Sequence, residues 1–230
     1  MSIAATLSEL EALGTEQNRK VYRRHGVKGE QFGLSTAHLN QLAKRYKRQH
    51  ELALQLWASG NHDARMLATR IADPARLDEA TIDAWVEQLD NYVITDAFCE
   101  LVSQTPLARQ KMERWVTRQD EWPATAGWNL LGLLAIRDQS LPDSYFEPYL
   151  EAIQRSIHGS MNRVRYAMNQ AMIAIGTRNH TLEPKALHAA ARVGEVHVDH
   201  GETNCQTPFA VDYIRKTWDY RQKKAAVRQG

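Results

Sequence analysis

The sequence holds only two cysteines, Cys99 and Cys205, and no apolar run near the roughly 18 residues that a membrane span needs. The first absence excludes a disulfide-built scaffold and agrees with a reducing compartment. The second excludes a helical membrane anchor. The opening stretch MSIAATLSELEALG carries Glu9 and Glu11 and lacks the basic and apolar regions of a secretory leader. A cytoplasmic location without a membrane partner is therefore expected. Also missing are a glycine-rich phosphate loop, a G-x-S-x-G elbow and a Cys–His pair in recognisable context, so three common enzyme classes find no support. No convincing strand-period alternation is present either. What remains is an apolar share of 43% in 230 residues, enough for a sizeable core.

The net charge of +2 is small, but it is unevenly distributed. Residues 1–50 carry +5, residues 76–151 carry −8 and residues 152–230 carry +6. Basic ends around an acidic middle suit a polyanionic partner, and they equally suit ordinary solvated faces.

Helical periodicity runs through almost the whole chain. Leu39, Leu42, Ala43 and Tyr46 form one apolar stripe, with Lys44, Arg45, Lys47 and Arg48 on the other face. Ser35 is the expected N-cap of that helix. Val164, Ala167, Met168, Ala171, Met172 and Ile175 form another stripe, for which Gly176 is the expected C-cap. Breaks are expected at Gly60–Asn61, Asp73–Pro74, Asp90–Asn91, Thr105–Pro106, Leu141–Pro142 and His158–Gly159.

An internal repeat organises these helices. LALQLW, TIDAWV and KMERWV end on Trp57, Trp85 and Trp115. Six residues after each tryptophan stands a polar residue, Asp63, Asn91 or Glu121, expected to open a second, more apolar helix. Residues 149–176 read as a fourth unit without the tryptophan. Such helix pairs cannot bury their apolar faces alone and must stack on their neighbours. The expected fold is all-α: an α-solenoid of stacked antiparallel helix pairs, one domain over residues 1–220 followed by a basic, mobile tail at 221–230. The tryptophans read as core.

Several residues could carry chemistry. Arg45 and Lys47 in the first basic segment, and Arg163 and Arg165 at the start of a later helix, are of the type that binds phosphates. For the last two, surface ion pairs are the alternative. Arg65 reads as an interhelical contact. His197, Asp199, His200 and Cys205 lie close together in a stretch that Gly194 and Gly201 mark as a loop, and all are metal-ligating types, yet their spacing fits no zinc pattern. A loop held by hydrogen bonds is the preferred account, with no metal expected.

The chain resembles the DNA alkylation repair family of HEAT-like glycosylases, the AlkD-like proteins. The resemblance rests on FGLSTAHLNQLAKRYKRQHELALQLWASGNHDARMLATRIADP at 32–74, DNYVITDAF at 90–98 and NRVRYAMNQAMIAIG at 162–176. The stretch VDHGETNCQTPFAVDYIRK at 198–216 looks like a branch of that family. The resemblance implies a HEAT-like fold, duplex DNA as partner, no cofactor, a monomer, and excision of cationic N3- or N7-alkylated purines. The chemistry needs one carboxylate beside a developing sugar cation, aromatic faces for cation–π attraction, and basic groups on phosphates. By resemblance Asp96 is the catalytic carboxylate. Tyr92, one helical turn earlier, stands where the family has a tryptophan. Ala124 or Thr125 stands in place of a family arginine, and Gln170 in place of a second aromatic. A bland role for Asp96, bonding a neighbouring repeat, is the alternative. The expected function is DNA binding with possible excision; the alternative is a DNA-binding or protein-interaction scaffold without glycosylase activity.

Overall fold

Helix starts along the chain are set by short polar side chains that reach back to free backbone N–H groups. Ser2, Thr15, Ser35, Asn61, Asp78 and Asn91 each accept such a bond. In the computed structural model, which describes residues 2–229 and side chains up to Val227, these caps help to delimit thirteen α-helices. No strand occurs among the described residues. The helices are α1 (Ile3–Leu13), α2 (Glu16–Arg24), α3 (Thr36–Arg45), α4 (His50–Ala58), α5 (His62–Ile71), α6 (Glu79–Val86), α7 (Tyr92–Val102), α8 (Ala108–Trp115), α9 (Glu121–Arg137), α10 (Glu147–Ser156), α11 (Asn162–Gly176), α12 (Glu183–Val193) and α13 (Ala210–Gln229). None is long and apolar enough to cross a membrane.

The chain packs as two compact units: residues 1–108 with 200–204, and residues 109–199 with 205–230. In the first unit, α4 pairs with α5, α5 lies on α7, and α1 and α3 pack on this group. Trp57 and Trp85 stack face to face at 4.1 Å between ring centres, with Phe98 beside them. Both tryptophans are buried, as is Trp115 in the second unit, so the repeated tryptophan is core, as its spacing suggested. Arg65 lies over the Trp57 ring and donates to the Trp57 carbonyl and to Gln88. It joins consecutive pairs, as the sequence reading had it.

In the second unit, α9 and α11 lie along one another, α10 pairs with α12, and α13 rests on α11 and α12. Residues 149–176, expected as a fourth unit, form α10 and α11. The same α13 extends through residues 221–229 of the expected tail, whose last residue, Gly230, lies outside the described residues.

Two helix-end assignments need correction. The second helices of the tryptophan repeats were expected to open at Asp63, Asn91 and Glu121. Asn91 caps α7 and Glu121 is the first residue of α9, but α5 opens one residue before Asp63, at His62, with Asn61 as its cap. The Asp63 and Glu121 carboxylates both bond backbone outside their own helices. Glu121 Oε1 accepts the Arg163 N–H at 2.8 Å, satisfying a free donor in the first turn of α11. Gly176 is the last residue of α11 rather than its cap, which is Thr177. A Cβ at Gly176 would come within 2.7 Å of Ile214 Cδ1 and 2.8 Å of Ala186 Cβ. Glycine is needed there because α12 and α13 approach so closely.

Candidate nucleic-acid interface

The first unit builds its candidate site on α7. Asn91 caps the helix and fixes its start, so Tyr92 and Asp96 fall one turn apart on the same side. Asp96 is exposed and Tyr92 half-buried. The next residue toward the core, Thr95, is fully buried and donates its hydroxyl to the Asn91 carbonyl. An exposed carboxylate on this helix can stabilise a cation brought to it from solvent.

The Tyr92 ring is not open. His25, just past the end of α2, is hydrogen-bonded through Nδ1 to the Tyr92 hydroxyl. The two rings meet edge to face at 5.9 Å between centres. One repeat earlier, Tyr22 of α2 meets His62 of α5 in the same manner at 5.1 Å. Thus α2 lays Tyr22 and His25, three residues apart, against the first residues of two consecutive second helices.

The placement of α2 traces to Asp63. This carboxylate is fully buried and accepts three backbone N–H groups, from Phe32 (2.7 Å), Gly33 (2.9 Å) and Leu34 (2.9 Å). The segment so held then grips α2. Gly33 O accepts from Thr15 N, Phe32 O from Arg19, and Leu34 O from the Tyr22 hydroxyl. Gly33 has φ +83°, and a Cβ there would lie 2.4 Å from the Thr15 carbonyl oxygen. A side chain would break the clamp on both counts.

The electrostatics follow from burial. Burial pushes the Tyr22 hydroxyl up to about 12, helped by the negative charge of Asp63. His62 is 4% exposed with Nε2 unpaired, and burial holds its pKa below the usual histidine value. The same cause lowers the pKa of Arg70 on α5, whose guanidinium donates to the Met66 carbonyl.

The four expected phosphate ligands divide between the units. Arg45, at the end of α3, is committed to an ion pair with Glu9 and lies over the Tyr46 ring at 4.9 Å. Lys47 is exposed just beyond it. In the second unit, Arg163 and Arg165 are half-buried in the first turn of α11, and Arg163 lies 5.0 Å over the Tyr166 ring. The Arg165 Nε is buried without a partner. Ala124 and Thr125 are buried in α9, and Gln170 is half-buried in α11.

His197, Asp199, His200 and Cys205 do not form a metal centre. Among the described residues, no three His, Cys, Asp or Glu side chains gather in a way that could hold an ion. The loop between α12 and α13 is tied by hydrogen bonds instead. The Asn162 side chain both donates to Asp199 O and accepts from Asp199 N, each at 2.8 Å, and Asn169 donates to Pro208 O. Neither cysteine is in a disulfide; Cys99 is buried and Cys205 exposed. Burial pushes the Cys99 thiol well above its ordinary value.

Sequence reasoning missed Tyr22, His25 and His62. The signal for His62 was available: Asn61–His62 repeats the cap and first residue of Asn91–Tyr92. Nothing local in YRRHGVKGE marks His25 as a partner of a residue 67 positions away.

Comparison with known proteins agrees with this architecture. A solved structure from a family related to the HEAT-like repeat DNA glycosylases, with affinity for branched DNA structures, superposes with a TM-score of 0.88. It is 30% identical and covers 96% of this chain and 95% of its own. The uncharacterized protein Lin0241 of Listeria innocua is 29% identical over 215 residues, covering 91% of this chain and 94% of its own. Lmo0209 of Listeria monocytogenes, also uncharacterized, matches to the same extent. The fold is HEAT-like, as the resemblance implied. The family model of the DNA alkylation repair enzyme matches residues 6–214, and the chain belongs to that family.

Proposed function

We propose that this protein binds DNA at branched or distorted duplex sites, and that any base excision is weak and confined to purines already made cationic by alkylation. The observation that carries the reading is the His25–Tyr92 contact beside an exposed Asp96. Asp96 supplies the carboxylate that an oxocarbenium-like sugar requires. Tyr92, the aromatic that would face the cation, has its ring and hydroxyl in contact with His25. Gln170 offers no aromatic face, and Ala124 and Thr125 offer no charge. A neutral lesion such as uracil would need leaving-group activation that none of these residues provides. The branched-DNA affinity of the similar solved family favours binding as the main activity.

Lys47, Arg163 and Arg165 are the phosphate ligands of this reading. Arg45 contributes less, since Glu9 already neutralises it. Each lost phosphate contact lowers the salt dependence of binding by about one unit of slope.

The test has two arms. A four-way junction and a linear duplex are titrated with protein at low and moderate salt, with the junction expected to bind more tightly and both affinities to fall with salt. Base release is then followed from duplexes carrying 7-methylguanine or uracil, using wild type and Asp96→Asn. Slow release of 7-methylguanine, abolished in Asp96→Asn, supports the residual chemistry. Uracil release at a comparable rate, or binding that is flat with salt, overturns the proposal.

A further inference from the structure

The helix α13 has two unlike sides. Val211 and Ile214 are buried, the Trp218 indole donates to the Gly176 carbonyl and stacks on His180 at 4.1 Å, and Arg221 donates to the Thr177 carbonyl. This side docks the helix on its own unit. The opposite side carries Phe209, just before the helix, then Tyr213, Lys216, Tyr220, Lys223, Lys224 and Val227. Their spacing of three or four residues keeps them within roughly 100° of the helix circumference. Phe209 is 41% exposed, Tyr213 51% and Tyr220 64%. The lysines are exposed as well. The Lys224 ammonium sits 5.8 Å from the centre of the Tyr220 ring. Asp212 and Asp219 flank one edge of the stripe, and beyond Asp219 the sequence has four basic residues and no acidic one.

An apolar docking face would not interleave lysines with tyrosines, and a purely electrostatic face would not expose three aromatic rings. The combination is what unpaired nucleotides need: flat rings for base stacking and cations for the phosphates between them. Tyr213 and Tyr220 are seven residues apart, about 10.5 Å along the axis at 1.5 Å per residue. We infer that the outward side of α13 is a second DNA contact that takes single-stranded nucleotides, bases on Tyr213 and Tyr220 and phosphates on Lys216, Lys223 and Lys224. The inference rests on the protein being a DNA-binding protein. It adds a reason for preferring those branched forms that carry a single-stranded arm, such as flaps, because they expose unpaired bases that linear duplex does not.

The experiment compares wild type with Tyr213→Ala/Tyr220→Ala, both as the full chain. Binding is measured to a short oligothymidine strand, to a blunt linear duplex, and to a flap substrate with 2-aminopurine in its single-stranded arm. The alanine pair should lose tenfold or more in oligothymidine affinity while keeping duplex affinity. Wild type should quench the 2-aminopurine by stacking, and the variant should not. Tyr213→Phe/Tyr220→Phe, which keeps the rings, should behave as wild type. Duplex binding with no oligothymidine binding by wild type overturns this inference and leaves the proposed function standing. Absence of binding to any DNA removes both. An alanine pair that binds oligothymidine like wild type, or a wild-type dimer that the alanine pair dissociates in sedimentation, assigns the face elsewhere and overturns the inference.

Discussion

Helices α5 and α7 are the second helices of consecutive repeats, and they use the same opening differently. Each begins after an asparagine cap, Asn61 or Asn91, and each presents its first residue, His62 or Tyr92, to an aromatic side chain from the α2 region. Their carboxylates then part. Asp63 is fully buried and holds three backbone N–H groups, while Asp96 is exposed. One repeat has committed its acid to architecture, and the next has kept its acid at the surface. A repeat fold permits this because each unit needs only its neighbours to be stable, so one helix can hold the frame while the next carries chemistry. The comparison also ranks the two acids: burial and three donors make Asp63 a structural group, and accessibility makes Asp96 the candidate reactive one.

The largest effect should come from removing the architectural acid. Asp63→Ala leaves three buried N–H groups without their acceptor and should cost about 3 kcal/mol or more. For a chain of this size that is a fall in melting temperature of roughly 6–12 °C. Asp96→Ala should stay within about 1 kcal/mol of wild type, since substitutions at exposed positions have small effects. Thermal unfolding of the two variants checks this directly; equal destabilisation would erase the distinction between the helices.

A pH series sharpens the comparison at the first residues of the two helices. The folded pKa of His62 lies below its unfolded value of about 6.5, so the unfolded chain takes up a proton first as pH falls. The stability that His62 contributes is therefore complete above about pH 6.5. It declines as pH drops from there to the folded pKa. Denaturant titrations should show wild type losing stability below pH 6.5 faster than His62→Gln. Parallel curves would mean that burial does not lower the His62 pKa.

The third effect is smaller and bears on the chemistry. His25→Ala removes the imidazole that meets the Tyr92 ring and hydroxyl. Release of 7-methylguanine should rise by about two- to fivefold, the size of one cation–π contact of about 0.5–1 kcal/mol. Single-turnover base release measures it. A decrease would show that His25 assists the site rather than screening it.

The smallest effect is expected at Arg45. Because Glu9 and Tyr46 already occupy its guanidinium, Arg45→Ala should change duplex affinity less than Lys47→Ala at the same salt. Anisotropy titrations of both variants, in parallel with wild type, order the two.

By itself the sequence determined the helices, the stacking of helix pairs, the burial of the repeated tryptophans and the cap at Ser35. These depend on signals a few residues long: apolar spacing near 3.6, polar caps and breaks at Gly and Pro. The shared turn of Tyr92 and Asp96 was legible for the same reason, although their chemical role came from family resemblance. Only the tertiary structure decided what Asp63, Glu121, Gly176 and His25 do. Asp63 reads locally as a helix-start acid, yet its partners lie about thirty residues away on a loop whose position only packing sets. Gly176 reads as a cap, yet it is where two later helices come too close for a side chain. Asp96 and Asp63 both sit in apolar helices on the page. Which of them meets water depends on whether a distant backbone segment is folded over the helix, and local sequence periodicity carries no record of that.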